Sequence, residues 1–269
     1  MRSYKIAALG AVAVLGSLAT SSHAAIIDFT TLQLNGGFAS ATATTLRLNN
    51  GSNLLNPLNP NSNAGEASSA FISTAFSTSS TFSTSFTFSL TNSGYDPQGD
   101  GITFLIQNDP AGASALGGGG GGVGANGLAK NIGVGFQSWD NNHVGIFTDG
   151  SITGTPDHNF NLGDQNDLVD VTIGYSGGIL SYSAFNHVTG LSINDSQAFD
   201  LTSLGSSAYI GFTGGTGLSY SIQDVTKWDL TVTPNGAAVP EPETWALMLA
   251  GFGGLGAILR RRRAALAAA

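Results

Sequence analysis

The sequence predicts an all-β fold, an antiparallel β-sandwich in a single domain. Apolar and polar residues alternate with a period of two in several runs, which is the pattern of a strand with one buried face. Clusters of Gly, Asn, Asp, Ser and Pro separate these runs and are typical of short connections. Between residues 25 and 235 no segment shows a capped helical pattern of useful length. Two packed sheets are therefore expected, because each sheet needs a second layer to bury its apolar face.

The clearest predicted strand covers residues 82–90. Its even-numbered positions are four apolar residues and one Thr, whereas its odd-numbered positions are all Ser or Thr. The Ser and Thr content of residues 68–89 also fits a low-complexity stalk, but the regular Phe spacing favours a strand. Residues 102–107 and 169–175 alternate in the same way. Ser176-Gly177-Gly178 then predicts a tight hairpin turn into a strand over 179–185.

The N-terminus has the three parts of a secretory signal peptide. Arg2 and Lys5 supply positive charge, residues 6–19 are apolar, and Ser22-His23-Ala24 provides small residues at a cleavage site. Residues 1–24 are therefore assigned to a signal peptide, and residues 25–235 to the sandwich domain.

The C-terminus, residues 236–269, has the organisation of a membrane-sorting tail. A motif of three residues precedes an apolar stretch at 245–259, and four Arg residues at 260–263 follow at once. The stretch is shorter than the about 20 residues of a full span, but it fits one hydrophobic transmembrane helix whose Arg side chains snorkel. A buried core helix is the alternative, and the Arg cluster disfavours it. The motif is Pro240, Glu241 and Pro242.

These three parts, in this order, resemble the PEP-CTERM sorting signal. The resemblance implies a Gram-negative bacterium and an exosortase that cleaves near the motif. The Arg cluster should stay in the cytoplasm, so the chain before it is exported. We therefore expect transient membrane anchoring through the tail, followed by delivery to the cell surface or an extracellular exopolysaccharide matrix.

The charge of the region between residues 25 and 239 excludes one class of partner. This region holds 15 acidic residues and 3 basic ones, Arg47, Lys130 and Lys227, for a net charge of −12. Nucleic acid is an unsuitable partner, because phosphate binding needs clustered Lys or Arg. The chain has no Cys, so disulfides and Cys-based metal sites are excluded and stability must come from the core.

A series of short motifs occurs in a fixed order between residues 46 and 228. The motifs are Leu46-Arg47-Leu48, Ala64-Gly65-Glu66, Gly99-Asp100-Gly101, the glycine run 117–122, Ile132-Gly133-Val134-Gly135-Phe136, Gly211-Phe212-Thr213-Gly214-Gly215-Thr216-Gly217, and Trp228. The ordered series resembles the L-type (legume-type) lectin family. It implies a concanavalin A-like jelly roll of two large antiparallel sheets, with a shallow carbohydrate site at one end.

The resemblance also implies which residues would bind a sugar. An Asp that accepts hydrogen bonds from sugar hydroxyls would be Asp100, and the backbone donor in the glycine run would be Gly118 or Gly119. Asn141 would donate from its side-chain amide, and Gly215 with Thr216 would form the last loop of the site. Fixed acceptors and donors suit paired sugar hydroxyls. Alternatively, Asp100 is an ordinary turn residue and the glycine run a flexible connector.

The chain departs from the family at the metal site. Gly135 and Gln137 stand where the family has two carboxylates, so a transition metal is not expected, and His143 is interpreted as an ordinary residue at a strand start. Calcium needs about 6 to 8 oxygen ligands. The side chains of Asp140 and Asn141 and the Trp139 carbonyl would supply three, a weak calcium site at most. In the family the metal holds a cis peptide bond before the sugar-binding Asp.

The sequence therefore predicts an exported, non-catalytic carbohydrate-binding protein whose partner is a glycan or exopolysaccharide. A glycoside hydrolase on the same fold is disfavoured, because retaining hydrolysis needs two carboxyl groups about 5 Å apart. Glu66 is the only Glu between residues 25 and 239. A structural matrix or biofilm protein on this fold, without sugar binding, is the alternative hypothesis.

The sorting assignment predicts that the mature protein loses both ends. Mass spectrometry of surface and matrix material should detect peptides of the sandwich domain but none beyond about residue 245, because cleavage near Pro240 leaves the apolar stretch in the membrane. Intact tail peptides in the same fraction would contradict this assignment.

Overall fold

The computed structural model describes residues 25–51, 65–92, 98–139, 142–148, 160, 162, 167–217 and 219–235. The strands are β1 (Ala25–Ile26), β2 (Leu32–Asn35), β3 (Ser40–Ala41), β4 (Thr45–Asn50), β5 (Glu66–Ile72), β6 (Phe76–Ser77), β7 (Thr81–Asn92), β8 (Gly101–Gln107), β9 (Asn131–Gln137), β10 (His143–Thr148), β11 (Asp167–Ser176), β12 (Ile179–Asn186), β13 (Ser192–Ala198), β14 (Ser207–Thr216) and β15 (Ser221–Thr233). Short 3-10 turns cover Phe29–Thr31, Gly112–Ser114, Gly120–Gly122 and Leu201–Leu204.

The strands form two antiparallel sheets, as the sequence predicts. The eight-stranded sheet has the order β13-β12-β11-β7-β15-β4-β3, with β1 also paired to β15. The seven-stranded sheet has the order β10-β9-β8-β14-β5-β2, with β6 also paired to β14. Strands that are consecutive in the chain often lie in different sheets, so the order of the sheets is set by contacts that are distant in sequence.

The predicted strands and hairpin are confirmed. Residues 82–90 lie inside β7, and the predicted strands over 102–107, 169–175 and 179–185 lie inside β8, β11 and β12. β11 and β12 pair from Val169 opposite Asn186 to Ser176 opposite Ile179. Both turn glycines have positive φ, 61° at Gly177 and 77° at Gly178. That conformation matches the two-residue turns that join antiparallel strands.

Aromatic side chains hold the two sheets together. Phe212 of β14 makes edge-to-face contacts with Phe86 of β7 and Trp228 of β15, with ring centroids 4.8 Å apart in both pairs. The Trp228 indole N–H donates a hydrogen bond of 2.8 Å to the Thr84 hydroxyl. This bond satisfies the polar atom of a fully buried side chain.

A second, smaller core lies on the other side of the seven-stranded sheet. All seven residues of β8 and all seven of β9 are buried, although alternation predicts one solvent-facing side. The segment between β8 and β9 folds back over this outer face. It brings Ala115, Ala125 and Leu128 against Phe71 and Leu105.

The predicted terminal segments lie outside the described residues. They are the signal peptide at 1–24 and the hydrophobic helix at 245–259. Within the ranges given above, no helix is long and apolar enough to cross a membrane.

Truncation of Phe212 to Ala should lower the free energy of unfolding by about 3 to 5 kcal/mol, because it empties the centre of the aromatic contact between the sheets. Chemical denaturation of the mature protein measures the change. Phe185, which is 39% exposed on β12, provides the matched control. Phe185→Ala should cost less than about 1 kcal/mol, and an equal loss in both variants would show that Phe212 is not central to the core.

Candidate functional site

The candidate site is built around Asp100, which lies just before β8. Its backbone N–H donates to the Gly215 carbonyl at 2.9 Å, and its carbonyl accepts from the N–H groups of Ser138 at 2.9 Å and Trp139 at 3.4 Å. The Gly99–Asp100 peptide bond is cis, as the family resemblance implies. Backbone atoms from the ends of β9 and β14 thus fix Asp100 at one end of the seven-stranded sheet.

The Asp100 side chain is almost completely removed from solvent. The residue is 3% exposed, and its Oδ2 atom is buried with no hydrogen-bond partner among the described residues. Burial raises the pKa of the Asp100 carboxyl to about 7, because a charged carboxylate is poorly solvated there. A buried acceptor of this kind favours the approach of a hydrogen-bond donor.

Two glycines cover the Asp100 carboxyl. A Cβ atom at Gly217 would lie 3.0 Å from Asp100 Oδ2 and 3.3 Å from the Gly120 Cα, whereas a Cβ at Gly120 would lie 3.6 Å from Oδ2. Gly120 has a φ of 61°, a conformation that glycine adopts without cost. The backbone of both glycines therefore lies close to the carboxyl, and a side chain at Gly217 would crowd it.

The two glycines predicted from the run, Gly118 and Gly119, both pack within the loop and against β5. The Gly118 N–H donates 2.8 Å to the Asn126 carbonyl, so it is used inside the loop. Gly119 packs so tightly against the carbonyls of Gly65 and Glu66 that a Cβ atom would collide with both. Of the run, the structure brings Gly120 next to Asp100.

Gly215 and Thr216, at the end of β14, lie in the interior of the domain and contact the site through the Gly215 backbone. The Gly215 carbonyl accepts the Asp100 N–H, as described above. The Thr216 side chain is 2% exposed, and its hydroxyl accepts from the Asn49 amide at 3.4 Å. Both residues therefore lie in the interior beneath Asp100.

A family model described as the legume lectin domain matches residues 30–245. The chain belongs to the legume lectin domain family. A second model, the PEP-CTERM protein-sorting motif, matches residues 238–263. The chain is thus a secreted lectin-like protein, because it combines the lectin fold with an export signal.

Solved structures of plant proteins share the lectin fold. A lectin from Bauhinia forficata in complex with GalNAc is 22% identical, with a TM-score of 0.62 over 80% of this chain and 99% of that one. Lectin II from Ulex europaeus is 19% identical, with a TM-score of 0.63 over 79% and 100%. Arcelin-5, a lectin-like defense protein from Phaseolus vulgaris, is 20% identical, with a TM-score of 0.59 over 76% and 93%. At these identities the likeness establishes the fold alone.

The family typically binds calcium and manganese, and the described part of this lectin domain does not fit such a pair. Gln137 directs its amide to the glycine loop, where Nε2 donates 3.5 Å to the Gly121 carbonyl. Its strand partner is His143, and Gly135 has no side chain to offer. Within the described ranges no three His, Cys, Asp or Glu residues form a group that could hold a metal ion.

Three of the predicted site residues follow β9 in the chain. Asp140 and Asn141 lie outside the described residues, so the sequence-based hypothesis for them stays a prediction. Trp139 is 40% exposed and contacts Asp100 through its backbone N–H. It lies two residues after the end of β9 and is one of the large hydrophobic residues that remain exposed.

Sequence reasoning did not single out Gly120 as the covering glycine or Gly217 as its partner. Both lie inside motifs that carry the family resemblance, but a run of identical residues does not show which of them comes closest to Asp100. The distance of each glycine from the carboxyl depends on how the loop folds back over β8. Only the three-dimensional structure supplies that distance.

The raised pKa of Asp100 predicts a distinctive dependence of stability on pH. Between about pH 4 and pH 7 the folded state keeps the proton that the unfolded state has lost, so the free energy of unfolding decreases as pH rises and levels off above about pH 7. Asp100→Asn cannot titrate. The stability of the wild type relative to this variant should therefore fall by about 2 to 4 kcal/mol across the interval, as measured by denaturation with a metal chelator present. A constant difference would contradict the buried, protonated carboxyl.

Proposed function

We propose that the protein is an exported, non-catalytic carbohydrate-binding protein of the cell surface or exopolysaccharide matrix. Residues 1–24 are the cleaved signal peptide, residues 25–235 the lectin domain, and residues 236–269 the sorting tail that an exosortase processes. The family membership and the sorting motif support this assignment.

The observation that carries the proposal is the Asp100 carboxyl. It lies at the start of a strand, has a buried oxygen with no hydrogen-bond partner in the described chain, and has two glycines, Gly120 and Gly217, close to that oxygen. Sugar hydroxyls are donors of the size and geometry that such an acceptor binds. A ligand hydroxyl that reaches the carboxyl would supply a hydrogen bond that the described residues do not.

Three further residues are proposed for the site. Gly120 presents backbone beside the carboxyl, Asn141 supplies a side-chain amide by the family resemblance, and Trp139 offers an exposed ring for the apolar face of a sugar. Calcium at Trp139, Asp140 and Asn141 would be weak, because three oxygen ligands are far from a full set.

The absence of catalysis is part of the proposal. Proteins of this family are generally non-catalytic, and the sequence has no Glu-x-Asp-x-Glu strand to supply paired carboxyl groups. Glu66 is instead a strand residue of β5, opposite Thr216.

The burial of Asp100 favours a second candidate, a structural matrix protein on the same fold without sugar binding. A carboxyl that is 3% exposed is less accessible than a ligand-binding acceptor needs to be. If the cover of Gly120 and Gly217 does not move, the site is closed and the domain acts only through its surface.

A glycan array separates the two candidates. The mature protein, presented multivalently because single shallow sites bind weakly, should bind glycans with and without calcium. At a pH above about 8, where the Asp100 carboxyl is ionised, Asp100→Asn should weaken binding by about ten- to a hundredfold, since a hydrogen bond to an ionised acceptor is worth about 1.5 to 3 kcal/mol.

Asp109→Asn is the matched control for this experiment. Asp109 lies beyond the other end of β8 and accepts the backbone N–H groups of Ala111 and Ala129 at 2.9 and 3.0 Å. Its variant should bind glycans like the wild type. Equal binding by wild type and Asp100→Asn would place the site elsewhere on the domain, and an array without any signal for the wild type would favour the structural candidate.

A further inference from the structure

The buried side chain of Gln223 connects the two sheets directly beneath the candidate site. Gln223 belongs to β15 of the eight-stranded sheet and is 0% exposed. Its Nε2 donates 2.7 Å to the Gly215 carbonyl on β14, in the seven-stranded sheet. A Cβ atom at Gly214 would collide with the Gln223 Oε1, so the amide fits only because this position is glycine.

The Gly215 carbonyl is shared between Gln223 and Asp100. It accepts the Asp100 N–H at 2.9 Å in addition to the Gln223 amide, which uses both lone pairs of one carbonyl oxygen. Rotation of the Gly215 peptide group would break both bonds together. The position of the Asp100 backbone is therefore coupled to a side chain of the opposite sheet.

Ser221 makes a second connection of the same kind. This β15 residue is also 0% exposed, and its hydroxyl donates 2.9 Å to the Gly99 carbonyl. Gln223 and Ser221 are two residues apart on one strand, so their side chains point to the same face. Ser221 thus bonds directly to the carbonyl of the Gly99–Asp100 peptide group, whereas Gln223 bonds to the Gly215 carbonyl that accepts the N–H of the same group.

Core packing does not account for Gln223. Its Oε1 is buried with no hydrogen-bond partner among the described residues, and an unsatisfied buried carbonyl lowers stability. An apolar side chain of the same length would avoid that cost. The amide does, however, hold the Gly215 carbonyl, which is also the acceptor of the Asp100 N–H.

We infer that Gln223, with Ser221 beside it, is a positioning residue that holds Asp100 ready for a ligand without a metal ion. The inference rests on the proposed function, in which Asp100 accepts hydrogen bonds from sugar hydroxyls. Two observations support it: Gly135 and Gln137 stand where the resemblance implies metal-binding carboxylates, and two buried side chains of β15 bond to Gly215 and Gly99 beside Asp100.

The test compares two substitutions of equally buried glutamines in the mature protein. Gln223→Met removes the donor to Gly215. Gln107→Met is the control, since Gln107 is also 0% exposed and its Nε2 donates 2.8 Å to the Gly112 carbonyl, beyond the far end of β8. Amide hydrogen exchange at Asp100, thermal midpoint and total signal on a printed glycan array are measured with calcium and with chelator.

Gln223→Met should speed exchange of the Asp100 N–H about fivefold or more, because local opening no longer breaks the second bond to Gly215. Glycan signal should fall by a similar factor in calcium and in chelator, with a small change in thermal midpoint. Gln107→Met should lower the midpoint at least as much, because it also leaves the Asp109 N–H unpaired, without affecting Asp100 exchange or glycan signal.

Amide hydrogen exchange at Asp100 distinguishes a failure of this inference from a failure of the proposed function. If the wild type gives no glycan signal, the proposed function fails, while the exchange comparison still tests whether Gln223 holds Asp100. If the Asp100 N–H exchanges at the same rate in the Gln223→Met variant as in the wild type, the inference is wrong. The inference is also wrong if adding chelator to the wild type speeds Asp100 exchange as much as the substitution does. A metal ion would then be what holds Asp100.

Discussion

The packing of Phe212 against Phe86 and Trp228 is the contact on which the rest of the molecule depends. It fixes the distance between β14 and the two central strands of the other sheet. Because strands are stiff over a few residues, the same contact fixes Gly215, three residues further along β14, against Gln223 of β15. The hydrogen bond between these residues is only possible at that separation. The geometry of the candidate site is thus a consequence of the hydrophobic core rather than of the loops alone.

Backbone atoms dominate the candidate site. Asp100 is held through its N–H and carbonyl, and glycine backbone covers its carboxyl. Such a site is preorganised, because rigid strands and not rotatable side chains define it. It also has a cost, since the carboxyl is desolvated and its pKa rises to about 7. Either a ligand supplies the missing donor, as the proposed function requires, or the group remains a protonated interior residue of a structural domain.

The fold was largely predictable because the sequence patterns that specify its strands and turns involve residues close together in the chain. The alternation of Phe with Ser and Thr in β7 indicates which face of the strand packs against the core. The two glycines after Ser176 specify a tight turn. The same alternation predicted β8 as a strand but not that it would be buried on both faces, as its neighbour β9 also is. Their outer cover, Ala125 and Leu128 among others, comes from a loop whose apolar residues show no period. Its position is set by packing and not by local propensity.

The sequence by itself determined the class of this protein: an exported, acidic, cysteine-free β-sandwich with a sorting tail and an Asp at the start of a central strand. Alternation, charge and terminal motifs are properties of neighbouring residues, so they are visible without a fold. Only the tertiary structure decided which glycine covers Asp100 and which side chain holds it. Gln223 is more than a hundred residues from Asp100 along the chain, and no pattern in the sequence links the two. Their coupling arises because two sheets pack face to face and place both groups on one carbonyl oxygen.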